Sequence, residues 1–545
     1  ETLWRLRNNL ARCHRELGHL APAAASWTQA VDVVEELRGW LGNPDHMASF
    51  MREKFTLYHD LVTTLTTLDQ PGEALFYAER AKARTLVDMM DMAMALRREA
   101  LPAELQEPAE LVVALGALER GAADPLAAGP VAEVRTGAGR AALLTREAFD
   151  ELRGQVCTEN PHLCTLLAVD PAQIRDYMTH VQAELGEGTV AVEYFVTKDE
   201  TLVWVITRDG IQALHRIPIP RADLSAKVEA FRAEINQEAD APPTLKEGER
   251  AARLRRVLEL GQELYAILLG PVEPYLEGAT HLVVIPSDVL FYVPFAALVR
   301  CPGCEGGELF QEGEYLIKRT TVSYAPSLAS LYWPLEPRQE AATYTSALVV
   351  GNPTLDLFHA EAEARAVASL FPTGKLLLRE EGTKDTVLDR LTTTHYDVVH
   401  LSTHGLFDPE VALGSGVALA HEKLLTAVEI LGLRLSTRMA VLSACRTALP
   451  PDVTESLVVG DELQGLSQAL FVAGVPSAVL TLWDVNDLST SELMAGEAGM
   501  YGHLLGGETR AEALRRAQLA LGGDPALRYR HPYYWAPFVL YGDWR

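Results

Sequence analysis

Two short strings near the C-terminal end, His400-Leu401-Ser402-Thr403-His404-Gly405 and Leu442-Ser443-Ala444-Cys445, carry the side chains of thiol chemistry. A thiol attacks a peptide carbonyl only as its thiolate, and a nearby imidazole is the common way to remove its proton at neutral pH. Cys445 therefore reads as a nucleophile and His404 as its general base, later the acid that protonates a departing amine. Gly405 has no side chain to obstruct a substrate, and its N–H, with that of Cys445, would form an oxyanion hole. The competing reading is a buried strand-end cysteine and a core histidine, since free cysteine is among the most buried residue types. Joint placement decides between the two. Each string closes an apolar run that reads as a buried parallel strand, so both side chains should emerge at neighbouring C-terminal strand ends, where open α/β sheets hold their sites.

The elements that must position them follow from periodicity. Strands are expected at Thr189 to Val196, Thr201 to Ile206 and Ile211 to Ile217, with turns at Lys198-Asp199-Glu200 and Asp209-Gly210. Two helical stretches follow, about Ala222 to Glu238 and Glu247 to Leu269. Strands at His281 to Ile285, Ala347 to Val350, Tyr396 to Leu401, Met439 to Leu442 and Ser477 to Leu482 then alternate with helices, one of them Ala360 to Leu370. That alternation implies an α/β fold with a mostly parallel sheet covered on both faces. Gly465 to Trp483 is the longest apolar stretch, but Ser467, Gln468, Gly474 and Pro476 interrupt it, so it reads as core helix, turn and buried strand and not as a membrane span.

The first ninety or so residues read as helices carrying a repeated signature. Leu17-Gly18 is followed by Ala23, Trp27 and Ala30, and Leu68-Asp69 is followed at the same offsets by Ala74, Ala78 and Ala81. Small side chains there let antiparallel helices approach closely. The pattern resembles the tetratricopeptide repeat, with copies about fifty residues apart where about 34 is usual. Between Pro102 and Ala142 a Gly/Ala/Pro-rich patch has too few large apolar groups for a core and is expected to be a mobile insertion.

Bulk numbers narrow the function. The chain of 545 residues is too long for one core, and its net charge of -26 argues against nucleic-acid binding, which needs a basic face. Six cysteines without a disulfide-like framework, and no charged-then-apolar leader, point to a reducing, cytoplasmic setting. The first residue is Glu and not Met, so the missing leader is a weak constraint.

Further strings share one family pattern: Leu282-Val283-Val284-Ile285-Pro286, Tyr292-Val293-Pro294-Phe295-Ala296-Ala297-Leu298, Glu361-Ala362-Glu363-Ala364, and Gly460-Asp461-Glu462-Leu463-Gln464-Gly465-Leu466. With His531-Pro532-Tyr533-Tyr534-Trp535-Ala536-Pro537-Phe538 and the two strings above, they resemble the CHAT domain in order from Gly186 to Arg545. The helix Tyr77 to Arg84 also looks like the last one before such domains. The resemblance implies a peptidase of the caspase and separase class, with a His/Cys dyad on His404 and Cys445. It divides the chain into tetratricopeptide-like repeats over 1–95, a helical connector over 96–185, a pseudo-peptidase half over 186–346 and an active caspase-like half over 347–545. Many CHAT domains lack one dyad member; this sequence keeps both. Leu482-Trp483-Asp484-Val485-Asn486-Asp487 resembles the segment lining the S1 pocket of separases, which cleave after Arg. A carboxylate in a partly desolvated pocket rewards a guanidinium with a bidentate pair, so a basic P1 residue, Arg over Lys, is expected on Asp484 and, second, Asp487. The plainer alternative is that both acids cap a helix beginning near Leu488.

Other candidates are weaker. Cys301-Pro302-Gly303-Cys304 would be half a zinc site, but Cys157 and Cys164 are too loosely spaced to complete it, so no metal is expected. No glycine-rich phosphate loop follows a strand, so no cofactor is expected either. His400 is a fallback base or a structural histidine, and Asp408 is a candidate to orient His404. The aromatic cluster Tyr533, Tyr534, Trp535 and Phe538 reads as core packing.

Together these readings describe a cysteine endopeptidase whose helical repeats dock a regulatory protein or a protein substrate. By family analogy it would serve a bacterial defence or regulated-death pathway. The alternative is a catalytically silent repeat scaffold that binds partner proteins.

Overall fold

The computed structural model describes residues 2–38, 55–82, 171–239, 241, 246–301, 314–335, 343–406, 415–443, 461–523 and 527–545. The chain divides into two compact units, Glu1–Asp176 and Tyr177–Arg545. The patch from Pro102 to Ala142 lies outside the described residues.

The first unit is helical. Helices α1 (Thr2–Glu16), α2 (Leu20–Arg38) and α3 (Phe55–Thr67) are followed by helical residues 71–82. Its repeated signature is a repeated turn. After α1 the N–H groups of Leu17, Gly18 and His19 return to the carbonyls of Cys13, Arg15 and His14. After α3 those of Leu68, Asp69 and Gln70 return to Thr64, Thr66 and Leu65, the same pattern residue for residue. The pivot has positive φ in both copies, 76° at Gly18 and 57° at Asp69, because a helix stops cleanly in the left-handed region and Asp tolerates it better than most side chains. Ala23, Trp27, Ala30, Ala74, Ala78 and Ala81 are all buried, as close helix packing requires.

The second unit is built on an eleven-stranded sheet. Helix α4 (Pro171–Glu184) leads to β1 (Thr189–Val196), β2 (Thr201–Thr207) and β3 (Gly210–Ile217), then α5 (Arg221–Asn236) and α6 (Glu247–Leu268). Next come β4 (His281–Ile285), β5 (Thr321–Tyr324), β6 (Ser346–Gly351), α7 (Phe358–Leu370), β7 (Thr373–Leu378), α8 (Lys384–Thr393) and β8 (Val398–Ser402). A small antiparallel sheet follows, β9 (Gly405–Leu406), β10 (Gly416–Leu419) and β11 (Lys423–Thr426). The chain ends through α9 (Ala427–Gly432), β12 (Met439–Ser443), α10 (Asp461–Ala473), β13 (Ser477–Thr481), α11 (Asp487–Ala495), α12 (Met500–Leu505), α13 (Arg510–Gly522) and β14 (Phe538–Gly542).

The order in the large sheet is β3-β2-β1-β4-β5-β14-β13-β12-β8-β6-β7. β13, β12, β8, β6 and β7 run parallel, and so do β1, β4, β5 and β14. The two sets meet antiparallel at the β14–β13 pair. The last strand in sequence thus sits near the middle of the sheet. Gly542 there has φ 87°, and a Cβ on it would lie 2.2 Å from the Pro476 carbonyl oxygen, so only glycine lets the strand leave beside the start of β13. Arg510 fixes the end by donating to Asp543 Oδ2 at 2.8 Å and to the Arg545 carbonyl at 2.7 Å.

Every residue of β1, β4, β8, β12, β13 and β14 is buried, as expected of strands covered on both faces. The strand Thr189–Val196 therefore has no exposed side, and Glu193 is buried with its neighbours. The aromatic residues Tyr533, Tyr534, Trp535 and Phe538 are buried as well. Among the described residues no helix is long and apolar enough to cross a membrane.

Asp397, just before β8, pins the lower ends of the central strands. Its Oδ2 accepts from the N–H groups of Thr345 and Ser346 at 2.8 and 2.9 Å and from both hydroxyls at 3.1 and 3.0 Å. Its carbonyl receives the N–H groups of Arg438 and Met439. Burial pushes the Asp397 carboxyl up, but the bonds from Thr345 and Ser346 outweigh it and hold it below the usual range. The native state thus favours the ionised form; its stabilisation is complete above the unfolded carboxyl value of about 3.9 and is lost as pH falls through the lower folded value. Asp397→Asn is expected to cost about 2 kcal/mol at pH 7, read as a lower melting midpoint, with the gap to the parent closing near pH 2. A gap of equal size at pH 7 and pH 2 would contradict this role.

Candidate active site

Gly351, Ser402 and Ser443 form one rung across β6, β8 and β12. Extending the Val441↔Val479 register by two residues brings Thr481, the end of β13, to the same level. The last residues of four adjacent parallel strands, Gly351, Ser402, Ser443 and Thr481, therefore lie on one level. Two bonds continue the ladder past the rung, from Asn352 N–H to Ser402 O at 3.0 Å and from Thr403 N–H to Ser443 O at 3.2 Å.

His404 is two residues beyond the end of β8. The Thr403 hydroxyl donates to Ala418 O at 2.7 Å and Ala418 N–H donates to His404 O at 2.8 Å, so the small sheet grips the backbone on both sides of the imidazole. These bonds make Gly405↔Val417 a non-hydrogen-bonded pair, which leaves the Gly405 N–H outside that ladder. The ring is 37% exposed, and its Nε2 lies 2.9 Å from Asp356 Oδ2. An ionised carboxylate only accepts, so Nε2 carries the proton and the neutral ring keeps its lone pair on Nδ1.

Asp356 arrives on a loop with unusual backbone. Asn352 and Leu355 have φ of 51° and 72°, and a leucine in the left-handed region costs about 1–2 kcal/mol. Internal bonds hold the shape: Leu357 N–H donates to Asn352 Oδ1 at 2.9 Å, and the Thr354 hydroxyl to Asp356 Oδ1 at 2.5 Å. The Thr354 hydroxyl first, and His404 after it, hold the Asp356 carboxyl below its usual range against the opposing effect of desolvation. Sequence reasoning did not single out Asp356. Its only signal was an acid shortly after the strand that proves to flank β8. Asp408, the acid considered instead, lies outside the described residues.

His400 is not a base for this site. It is fully buried, with Nδ1 2.8 Å from the Tyr501 hydroxyl and Nε2 3.1 Å from Glu363 Oε1. Ser402 follows it onto the same partner, its hydroxyl donating to Glu363 Oε2 at 2.7 Å, as strand alternation requires. His404 leaves this row because β8 stops at Ser402.

Asp484 follows β13 on a firmly held segment. Trp483 is buried with its indole N–H on Tyr533 O at 3.1 Å, and Arg232 donates to Leu482 O at 3.0 Å while lying over the Tyr292 ring. Asp484 itself is exposed. Asp487 is the first residue of α11, and the cap of that helix is neither acid: Asn486 Oδ1 accepts from Ser489 N–H at 3.2 Å.

Cys445 lies outside the described residues, which stop on this segment at Ser443. Cys157, Cys164 and Cys304 are outside them too, and Cys301 is disulfide-bonded, so its thiolate is not available to zinc. Among the described residues, no group of three or more His, Cys, Asp or Glu is arranged to hold a metal.

Known proteins are similar to parts of this chain. Tetratricopeptide repeat protein 28 of Mus musculus is 27% identical over 341 residues, which are 51% of this chain and 13% of that protein. Its Homo sapiens namesake is 25% identical over 341 residues with the same shares. The chain thus spans 13% of the length of these relatives. Among solved structures, the Saccharomyces cerevisiae separase–securin complex aligns at a TM-score of 0.40 and 12% identity, over 99% of this chain and 47% of that one. The Arg-specific cysteine proteinase gingipain R aligns at 0.31 and 11%, over 59% and 74%. The CHAT domain matches residues 258–543, more than half of the sequence and all four strands that end at the site, and the chain belongs to the CHAT domain family.

Proposed function

We propose that the chain is a cysteine endopeptidase that uses His404 and Cys445 and cleaves after a basic residue. One observation carries the reading: the hydroxyls of Ser402 and Ser443, paired across β8 and β12, approach the same carboxylate, at 2.7 and 3.5 Å from Glu363 Oε2. Both serines therefore face one side of the sheet. His404 and Cys445 each follow these paired strand ends by two residues, and the spacing of adjacent strands, about 4.8 Å, favours a thiol close to the imidazole.

In the proposed reaction Nδ1 of His404 takes the Cys445 proton while Asp356 keeps the other nitrogen occupied. The thiolate sulfur bonds to the substrate carbonyl carbon, and the oxyanion is met by N–H groups at Gly405 and Cys445. Collapse breaks the C–N bond, the amine leaves with the proton from His404, and water then hydrolyses the thioester. Asp484, exposed beside this line, is the leading contact for a P1 guanidinium and Asp487 the second. The helical repeats would bind the regulator or the substrate.

A peptide-library digest tests the whole reading. Cutting after Arg, weaker after Lys, is expected from the parent chain and none from Cys445→Ala or His404→Ala. Cutting that survives both substitutions would remove the dyad, and a chain inert with every peptide and partner would leave the binding scaffold. Asp484→Asn is expected to lower cleavage after Arg about tenfold with little change elsewhere; equal cutting after Leu or Asp in the parent would discard the acidic pocket.

The role of Asp356 shows in the rate. Its carboxyl, held low, is anionic at neutral pH and accepts from the imidazole, which fixes the orientation of the ring. Asp356→Asn is expected to lower the kcat/KM plateau about 10- to 100-fold. An unchanged plateau would mean that Asp356 does not act on the base.

A further inference from the structure

Beneath the rung lies a buried group that the proposed chemistry does not use. Glu363, on α7, is 1% exposed, and its partners come from 37, 39 and 80 residues away along the chain. Tyr501 keeps its phenol proton, because burial first and the Glu363 charge second raise its pKa well above the usual value. The Tyr501 hydroxyl pairs with His400 Nδ1, Nε2 of that ring pairs with Glu363 Oε1, and the two serines face Oε2. Every member finds a partner within the cluster, an arrangement that leaves little freedom to any of them.

The node sits where the two site-bearing strands end. Ser402 and Ser443 are their last paired residues. Helix α7 is pressed close enough to reach them because Gly351 closes β6: a Cβ there would lie 2.4 Å from the Ala364 Cβ. The strings around Glu363, His400 and Ser443, separate in sequence, thus converge on one carboxylate.

We propose that Glu363 is a positioning residue for the site: by drawing the Ser402 and Ser443 hydroxyls to one point, it sets the spacing and rotation of β8 and β12 where they release His404 and Cys445. This rests on the dyad reading. Glu363 touches neither substrate nor thiol; it acts through the two strands.

The test is a double-mutant cycle in the full chain: Glu363→Gln, the pair Ser402→Ala with Ser443→Ala, and all three together. Two quantities are read alongside the melting midpoint: kcat and KM on a cleaved Arg peptide, and the rate of Cys445 alkylation by iodoacetamide at pH 7. Glu363→Gln preserves volume and is expected to remain folded at the assay temperature. Its kcat should fall about 10- to 100-fold with KM changed less than about twofold, since misplaced reacting groups lose rate and not binding. Alkylation should slow toward the level of His404→Ala, and the triple variant should be no worse than the serine pair, because residues acting through one another are not additive. Unchanged kcat and alkylation in Glu363→Gln, or losses that multiply independently in the triple variant, overturn the proposal. A parent chain that alkylates at Cys445 in a His404-dependent way but cuts no peptide sinks the endopeptidase reading alone, and the alkylation cycle still decides the role of Glu363.

Discussion

Four parallel strands that end on one level are the constraint from which the rest of the site follows. Adjacent strands lie about 4.8 Å apart, so a line of strand ends is a ruler on which one residue from each loop can be set. Read across β6, β8 and β13, the described segments beyond the strand ends carry Asp356, His404 and Asp484: carboxylate, imidazole, carboxylate. A slip of one residue in any strand would turn its side chain to the other face. Accuracy of register is therefore worth more to this molecule than any single contact. Two buried carboxylates guard it from opposite ends, Asp397 at the starts of the strands and Glu363 packed against their last residues.

The sheet makes the two halves of the second unit interdependent. β14, last in sequence, stands between β5 of the earlier half and β13 of the later one. Arg232, on α5 of the earlier half, reaches 250 residues along the chain to the carbonyl of Leu482, two positions before Asp484. The first half thus shapes the segment proposed to read the substrate, although no candidate catalytic residue lies in it. Because this central strand follows the other ten strands of the sheet in sequence, the sheet cannot be completed before it is made, a topology of long-range contacts that folds slowly.

What the sequence revealed follows from burial. Strands covered on both faces are continuous apolar runs, and Val398–Ser402, Met439–Ser443 and Ser477–Thr481 were legible for that reason. Thr321–Tyr324 is four residues long with a hydroxyl on three of them, and Thr373–Leu378 is an edge strand with Gly374 and Lys375 in it, so neither announces itself. Phe538–Gly542 was visible only as the tail of an aromatic cluster. At the candidate site, the place of His404 just past a strand end could be read from its string, but the acid beside it could not, because that depends on β6 lying next to β8. The same missing register hid the partners of His400. The cap of α11 went to Asn486 and not to the flanking acids, a choice made by loop geometry that composition does not express.

The energetics of the site separate its rigid foundation from its working surface. Asp397 and Glu363 are buried and fully engaged, and such groups specify an arrangement because any other would leave a charge unsatisfied. The His404–Asp356 pair is different: at 37% and 62% exposure, a pair of this kind contributes about 0–1 kcal/mol to stability. Yet the loop that delivers Asp356 holds Leu355 in the left-handed region, which costs about as much or more. A segment that accepts strain to present an exposed carboxylate gains little stability in return. What the shape does achieve is the contact of that carboxylate with an imidazole open to solvent, just past the ends of buried strands.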